Sequence, residues 1–308
     1  MTYFGRVPSI AGGQLMTANL QSAYKRLIQL QDQMSSGKVI RVPSDDPAGT
    51  SVAMDVRTQL RRSQQFERNS SDAQSWLNTA DSALVTSQDY LNRVRDLSIQ
   101  ARSGAFDPKA AAAVAGEIDQ IRDSLIQLGN TRYGTRAIFA GTGNTTTPVQ
   151  AGGQPDPLAN AAAVSRPVAP GVSVQINTDT TSLYGAYVGT AGGDYTGNTF
   201  EVLTKLANDI RNPGAPGANL SSGQVALDAA RDRMATVQAQ LGARSNRVAD
   251  LIARNAQVSQ DLTTSLSDVE DVDIAKAAVD VQAQSMAYQA ALAVTAKVIQ
   301  PSLVDFLK

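Results

Sequence analysis

Two carboxylate groupings are the parts of this chain best equipped for chemistry: Asp45-Asp46, and the run Asp268, Glu270, Asp271 and Asp273. Paired carboxylates suit general acid–base work, for example hydrolysis of a cell-wall glycan. The rest of the composition argues against it. There is no histidine and no cysteine. That removes the commonest general base, His-based triads, thiolate zinc sites, iron–sulfur clusters, disulfides and a cysteine nucleophile. Helix capping explains both groupings more simply, because an aspartate at a helix start satisfies free N–H groups and faces the positive end of the dipole. The expectation is a protein that is not an enzyme and needs no cofactor or metal.

The elements around these acids have a regular plan. Met16, Leu20, Ala23, Leu27, Leu30 and Met34 alternate four and three residues apart, the seam of a helix that needs a partner helix. Gly37 is the expected terminator, since glycine enters the left-handed region without a Cβ clash. A stiff connector follows, carried by Pro43, Ser44, Asp45, Asp46 and Pro47. Pro43 holds its predecessor extended, and Asp46 has the place of an N-cap before Pro47 at the first helical position.

Beyond the connector, residues 47–102 read as one long helix with Ala73, Leu77, Ala80, Leu84, Ser87, Leu91, Val94 and Ser98 on its seam. A second helix over 110–128 carries Val114, Ile118, Ile121, Leu125 and Leu128. Residues 137–140 (AIFA) have the composition of a strand, and Val172–Ile176 alternates with period two. The stretch 143–198 otherwise loses the helical period, with 145–163 mostly loop and 178–199 an exposed Ser/Thr-rich loop. A short helix over 200–210 precedes a Pro/Gly linker. A seam from Leu227 to Val272 then holds the four-three alternation, interrupted by Arg244, Asn255 and Ser265, where polar residues set register or lie on the surface. The last helix, 274–299, carries two adjacent seams of mostly small residues, which suits more than one neighbour. Residues 1–13 read as loosely ordered.

The plan is a mirror: amphipathic segments at both ends, long helices inside them, β material in the middle. The fold class is mainly α, an elongated antiparallel coiled-coil rod formed by both chain ends with a small β-rich insert. Three domains follow: 1–45 plus 270–308 as a terminal assembly domain, 46–142 plus 200–269 as the long-helix rod, and 143–199 as the insert. Charge favours pairing of the ends. Residues 1–40 hold Arg6, Lys25, Arg26 and Lys38 against Asp32, whereas residues 268–308 are net acidic. Leu20, Leu27, Leu30 and Met34, with Ile274, Val281, Met286, Leu292 and Ile299, are the expected subunit-packing residues. A net charge of -1 leaves no footprint for nucleic acid. No stretch approaches the ~18 apolar residues of a membrane span, so no membrane partner is expected. The first residues lack the basic and apolar regions of a secretory signal.

The stretches 30–47 (LQDQMSSGKVIRVPSDDP), 137–142 (AIFAGT), 271–277 (DVDIAKA) and 297–307 (KVIQPSLVDFL) resemble the flagellin superfamily of bacterial axial proteins, and within it the hook-associated protein 3 family. The form Arg41-x-Pro43-Ser44-Asp45-Asp46-Pro47 and the tail Pro301, Ser302, Leu303, Phe306 and Leu307 are similar to that family. The resemblance implies a structural subunit of the extracellular flagellum, exported unfolded by the flagellar type III apparatus without a cleaved signal. It also implies a cytoplasmic export chaperone bound at the C-terminal region. The assembled subunit would self-associate into a ring between hook-associated protein 1 and flagellin. Flagellin itself and a cytoplasmic coiled-coil scaffold are the alternative readings.

Overall fold

Apolar stripes at helical spacing build most of this molecule. The structure, a computed structural model, describes residues 8–103, 107–189, 195–214 and 218–299. In chain order the elements are α1 (Pro8–Ser36), α2 (Pro47–Ser103), α3 (Pro108–Gly129), β1 (Arg132–Tyr133), β2 (Arg136–Ala137), β3 (Ser165–Ala169), β4 (Val172–Gln175), α4 (Thr180–Tyr184), α5 (Thr199–Arg211), α6 (Leu220–Glu270) and α7 (Ile274–Ile299). The fold is mainly α, with two small antiparallel two-stranded sheets in the middle of the chain. Residues 1–62 with 259–308 form one compact unit, here called the terminal unit; residues 63–258 form the other, the central unit.

In the central unit the seam expected on α2 is buried along its whole length. Ala73, Leu77, Ala80, Leu84, Leu91 and Val94 are removed from solvent together with Ser87 and Ser98. The two serines meet their hydrogen-bonding need within the helix: Ser87 Oγ donates to the Ala83 carbonyl at 2.7 Å and Ser98 Oγ to that of Arg95 at 2.8 Å. Leu227, Ala230, Met234, Val237, Leu241 and Val248 of α6 join the same core, as do Val114, Ile118 and Leu125 of α3 and Leu203 and Leu206 of α5. Trp76 lies edge-on to Tyr133, ring centroids 5.7 Å apart. Gly129 ends α3 where a Cβ would stand 2.9 Å from Val149 and 3.1 Å from the Tyr184 hydroxyl, so only glycine admits that approach. The start of α5 is closed by a capping box: Asn198 Oδ1 accepts from the Glu201 N–H at 3.0 Å and Glu201 Oε2 from the Asn198 N–H at 2.9 Å.

Four expectations need correction. Residues 137–140 are not a strand; β2 stops at Ala137, and Ile138, Phe139 and Ala140 form a buried turn. Burial of that turn, not pairing, is what its apolar residues serve. The strand from Val172 stops at Gln175 and pairs with β3, whose Pro167 lacks a donor and sits at a register shift. Part of the Ser/Thr-rich stretch is not exposed loop: Asp179 caps the short helix α4 by accepting from the Ser182 N–H at 2.9 Å, and Leu183 and Tyr184 are buried. Helix α1 begins at Pro8 rather than after Gly13, consistent with proline's preference for the first helical position.

Asn255, one of the polar interruptions on α6, is buried and reaches the hairpin. Its Nδ2 donates to the Val168 carbonyl at 2.8 Å. Asn69 Nδ2 of α2 donates to the Pro167 carbonyl at 2.9 Å. Arg244 Nη1 donates to the Asn177 carbonyl at 2.8 Å. Asn255 and Arg244 therefore moor the β3–β4 region, whereas Ser265 is exposed and bonds only back to the Asp261 carbonyl at 2.9 Å.

Candidate functional site

The terminal unit is built on a different principle. Helices α1 and α7 pack against each other. Met16, Leu20, Ala23, Leu27, Leu30 and Gln33 of α1 are half-buried, each three or four residues from the next. From α7 the inward positions are Ala277, Val281, Gln284, Ser285, Tyr288, Ala291 and Thr295. Gln284 Nε2 donates to the Ala23 carbonyl at 3.1 Å, and the rings of Tyr24 and Tyr288 lie 5.5 Å apart. Leucines of α1 thus meet a mixed face of α7 that combines alanines, a valine, a tyrosine and a glutamine amide.

Among the expected packing residues, Leu20, Leu27, Leu30 and Val281 are on this contact. Met34, Ile274, Met286 and Leu292 are exposed; Ile274 and Met286 keep 66% and 56% of their surface. Ile299 closes α7. Pro301, Ser302, Leu303, Phe306 and Leu307 lie outside the described residues. Val279 is 67% exposed, and Leu15, Tyr24, Ile28 and Val294 are also open to solvent. Among the described residues, the terminal unit buries Ala53 and Ala277 as its only apolar side chains below a tenth exposed. The larger apolar side chains described in this unit are thus half-buried or open to solvent.

The connector is ordered by its acids. Asp45 Oδ2 accepts from the N–H groups of Arg41 and Val42, both at 3.1 Å. Asp46 Oδ1 accepts from those of Ala48 and Gly49, both at 3.0 Å, and so caps α2. Pro43, Ser44 and Pro47 are exposed. Arg41 also pairs with Asp32 at 3.0 Å. Asp273 caps α7, accepting from Ala275 and Lys276 N–H at 3.0 and 3.1 Å.

Glu270 is the exception in this unit: a carboxylate only 2% exposed. Lys38 Nζ stands 2.9 Å from its Oε2, and Arg57 Nη2 lies 2.8 Å from Oε1. Burial pushes this carboxyl up, but hydrogen bonds from Lys38 and Arg57, aided by their charges, outweigh it and hold it below the ordinary value. The partnership with Lys38 and Arg57 was not visible in the sequence. The available signal was that Glu270 has no cation one helical turn away, its neighbours there being Leu266, Ser267, Asp273 and Ile274.

Asp45, Asp46 and Asp273 hold turns or helix starts, Glu270 and Asp271 hold ion pairs, and Asp268 is exposed on α6. Among the described residues, no helix is long and apolar enough to cross a membrane. A family model for the bacterial flagellin N-terminal helical region matches residues 13–144, and one for the C-terminal helical region matches residues 225–307. The chain belongs to the flagellin family. This flagellin-family chain is 26% identical to the flagellar filament core protein flaB2 of Brachyspira hyodysenteriae, over 94% of this chain and 95% of that one. Among solved structures it resembles flagellar hook-associated protein 3 from Legionella pneumophila, with a TM-score of 0.58 and 15% identity over 70% of this chain and 98% of that one. It also resembles FlgL of Xanthomonas campestris, with a TM-score of 0.55 and 16% identity over 69% and 99%. Those likenesses establish the fold. The family is one of flagellar structural proteins, not of enzymes, and its members assemble with other flagellar components.

Proposed function

We propose that this chain is the hook–filament junction subunit, joining hook-associated protein 1 below to flagellin above as part of a self-associated ring. The observation that carries the reading is the form of the two terminal motifs: the Arg-x-Pro-Ser-Asp-Asp-Pro run from Arg41 to Pro47, and the tail from Pro301 to Leu307. The likeness of the fold to hook-associated protein 3 supports it. Folding is coupled to assembly: the α1–α7 pair forms only marginally in the monomer and is consolidated by its neighbours. Open apolar side chains such as Met34, Ile274, Met286 and Leu292 become buried only against neighbouring subunits, and short helices are marginal in water until packed. Export through the flagellar type III apparatus and a chaperone at the C-terminal region complete this reading.

A filament-subunit role is the second reading, favoured by the near full-length match to a filament core protein. Deletion of the gene in its own host separates the two. A junction role gives hooks without filaments and flagellin released to the medium. A filament role gives filaments that are missing or altered, with no intact flagellin shed. Normal filaments overturn both.

A further inference from the structure

We propose that Glu270 acts as a register latch: it fastens the connector behind α1 to the end of α6 and so selects which turn of α1 meets which turn of α7. This inference stands on the terminal unit alone and holds for a junction or a filament subunit alike.

The need for such a device follows from the seam. A four-three alternation repeats every seven residues, so moving Leu20 to the place of Leu27 loses little apolar contact. Among the described residues, no large apolar side chain is fully buried in this unit to forbid the slip. What breaks the repeat is polar and local. Gly37, at φ +69°, turns the chain out of α1. Lys38 then pairs with Asp271 in an antiparallel bridge. The Val39 N–H donates to the Glu270 carbonyl at 2.7 Å, and the Val272 N–H donates to the Gly37 carbonyl at 2.9 Å.

Side chains lock the same point. Lys38 Nζ reaches Glu270 at 2.9 Å and Asp271 Oδ1 at 3.1 Å. Ser267 Oγ donates to Asp271 Oδ2 at 2.6 Å, and Gln33 Nε2 donates to the Val39 carbonyl at 3.1 Å. A carboxylate this buried demands its cations, and a shift of α1 by one heptad would take Lys38 about 10 Å from it. A single buried polar partnership is a well-attested means of fixing helix register.

The chain has no cysteine, so engineered pairs report register without background. In the full chain, dilute and monomeric, Tyr24→Cys with Tyr288→Cys reports the native register, and Gln31→Cys with Tyr288→Cys reports a slip of one heptad. With the latch intact, the native pair should form its disulfide at least tenfold faster than the slipped pair. Adding Glu270→Gln, or separately Lys38→Met, should bring the two rates within about threefold, while amide protection in α3 stays unchanged. A native preference that survives both latch variants overturns the proposal, as does the absence of any preference with the latch intact. Lys38→Met changes a half-buried side chain of the terminal unit, so loss of α3 protection in that variant would mean that Lys38 supports folding in general, and would overturn the proposal too. A deletion phenotype typical of a filament subunit would refute the junction role without touching this result.

Discussion

The two units bury opposite kinds of side chain. The central unit closes over leucine, isoleucine and tryptophan; Leu84, Leu91, Ile118 and Leu203 are fully enclosed. Among its described residues, the terminal unit buries two alanines and a glutamate and leaves isoleucine, valine and methionine in solvent. A fully buried Leu or Ile side chain contributes roughly 1.5–3 kcal/mol, so the central unit is stable through its own contacts. The terminal unit leaves side chains of the same kind open to solvent. The difference teaches that the stability of the chain rests on the central unit, and that the proposed assembly would draw on the terminal one.

Breaking the core should produce the largest effect. Trp76→Ala removes the ring packed against Tyr133 and should cost about 3–5 kcal/mol, as read from urea unfolding followed by circular dichroism. A loss below 1 kcal/mol would mean that the central core does not carry the stability. Asn255→Ala should cost about 1–3 kcal/mol, because the buried Val168 carbonyl loses its donor. Exchange of the β3–β4 amides should rise more than that of α3.

A smaller effect, confined to the terminal unit, comes from pH. The groups facing Glu270 are Lys38 from the end of α1 and Arg57 from α2, with Asp271 beside Lys38. The Glu270 carboxyl lies below its ordinary value of 4.5. Its contribution is therefore complete above that pH and is lost as the pH falls through the lowered folded value. Lys38 is raised above 10.5 by Glu270 and Asp271, so its contribution is present below that pH and disappears as the pH climbs past the raised value. Amide chemical shifts of Val39 and Val272 should move at both extremes while α3 stays put in the acid range. No movement in acid would detach Glu270 from the bridge.

The smallest effect on the isolated chain sharpens the contrast most. Val279→Ser together with Met286→Ser should leave the unfolding free energy within about 0.5 kcal/mol of the parent, since both side chains are exposed. Under the proposed function the same variant should fail to assemble. A large loss of stability in the monomer would show that these residues are covered within one chain, and the comparison would fall.

Where burial is complete, periodicity alone was a sufficient guide. Every position of the α2 seam from Ala73 to Ser98 is inside, because each apolar side chain there has one neighbouring surface to meet. On α7 periodicity left two faces open, and the inward one keeps part of the first, Val281, Ser285, Tyr288 and Thr295, joined by Gln284 and Ala291, which lie on neither. The choice was made by a glutamine amide reaching the Ala23 carbonyl, a contact to backbone on a distant segment that no local pattern encodes. Strand β3 was hidden by Pro167, and α4 by its five-residue length. The partners of Glu270 are 232 and 213 residues away in sequence, far beyond any spacing rule.

That separation also sets an order of events. The contact between Gln284 and Ala23 spans 261 residues, so closing it from an open chain carries a large loop entropy, which grows with the logarithm of the span. Contacts such as those within α3 or between α5 and its cap close over a few residues and form early. Once the central unit has folded it shortens the effective tether between the ends. On this ground the terminal pair should close later than the local contacts of the central unit.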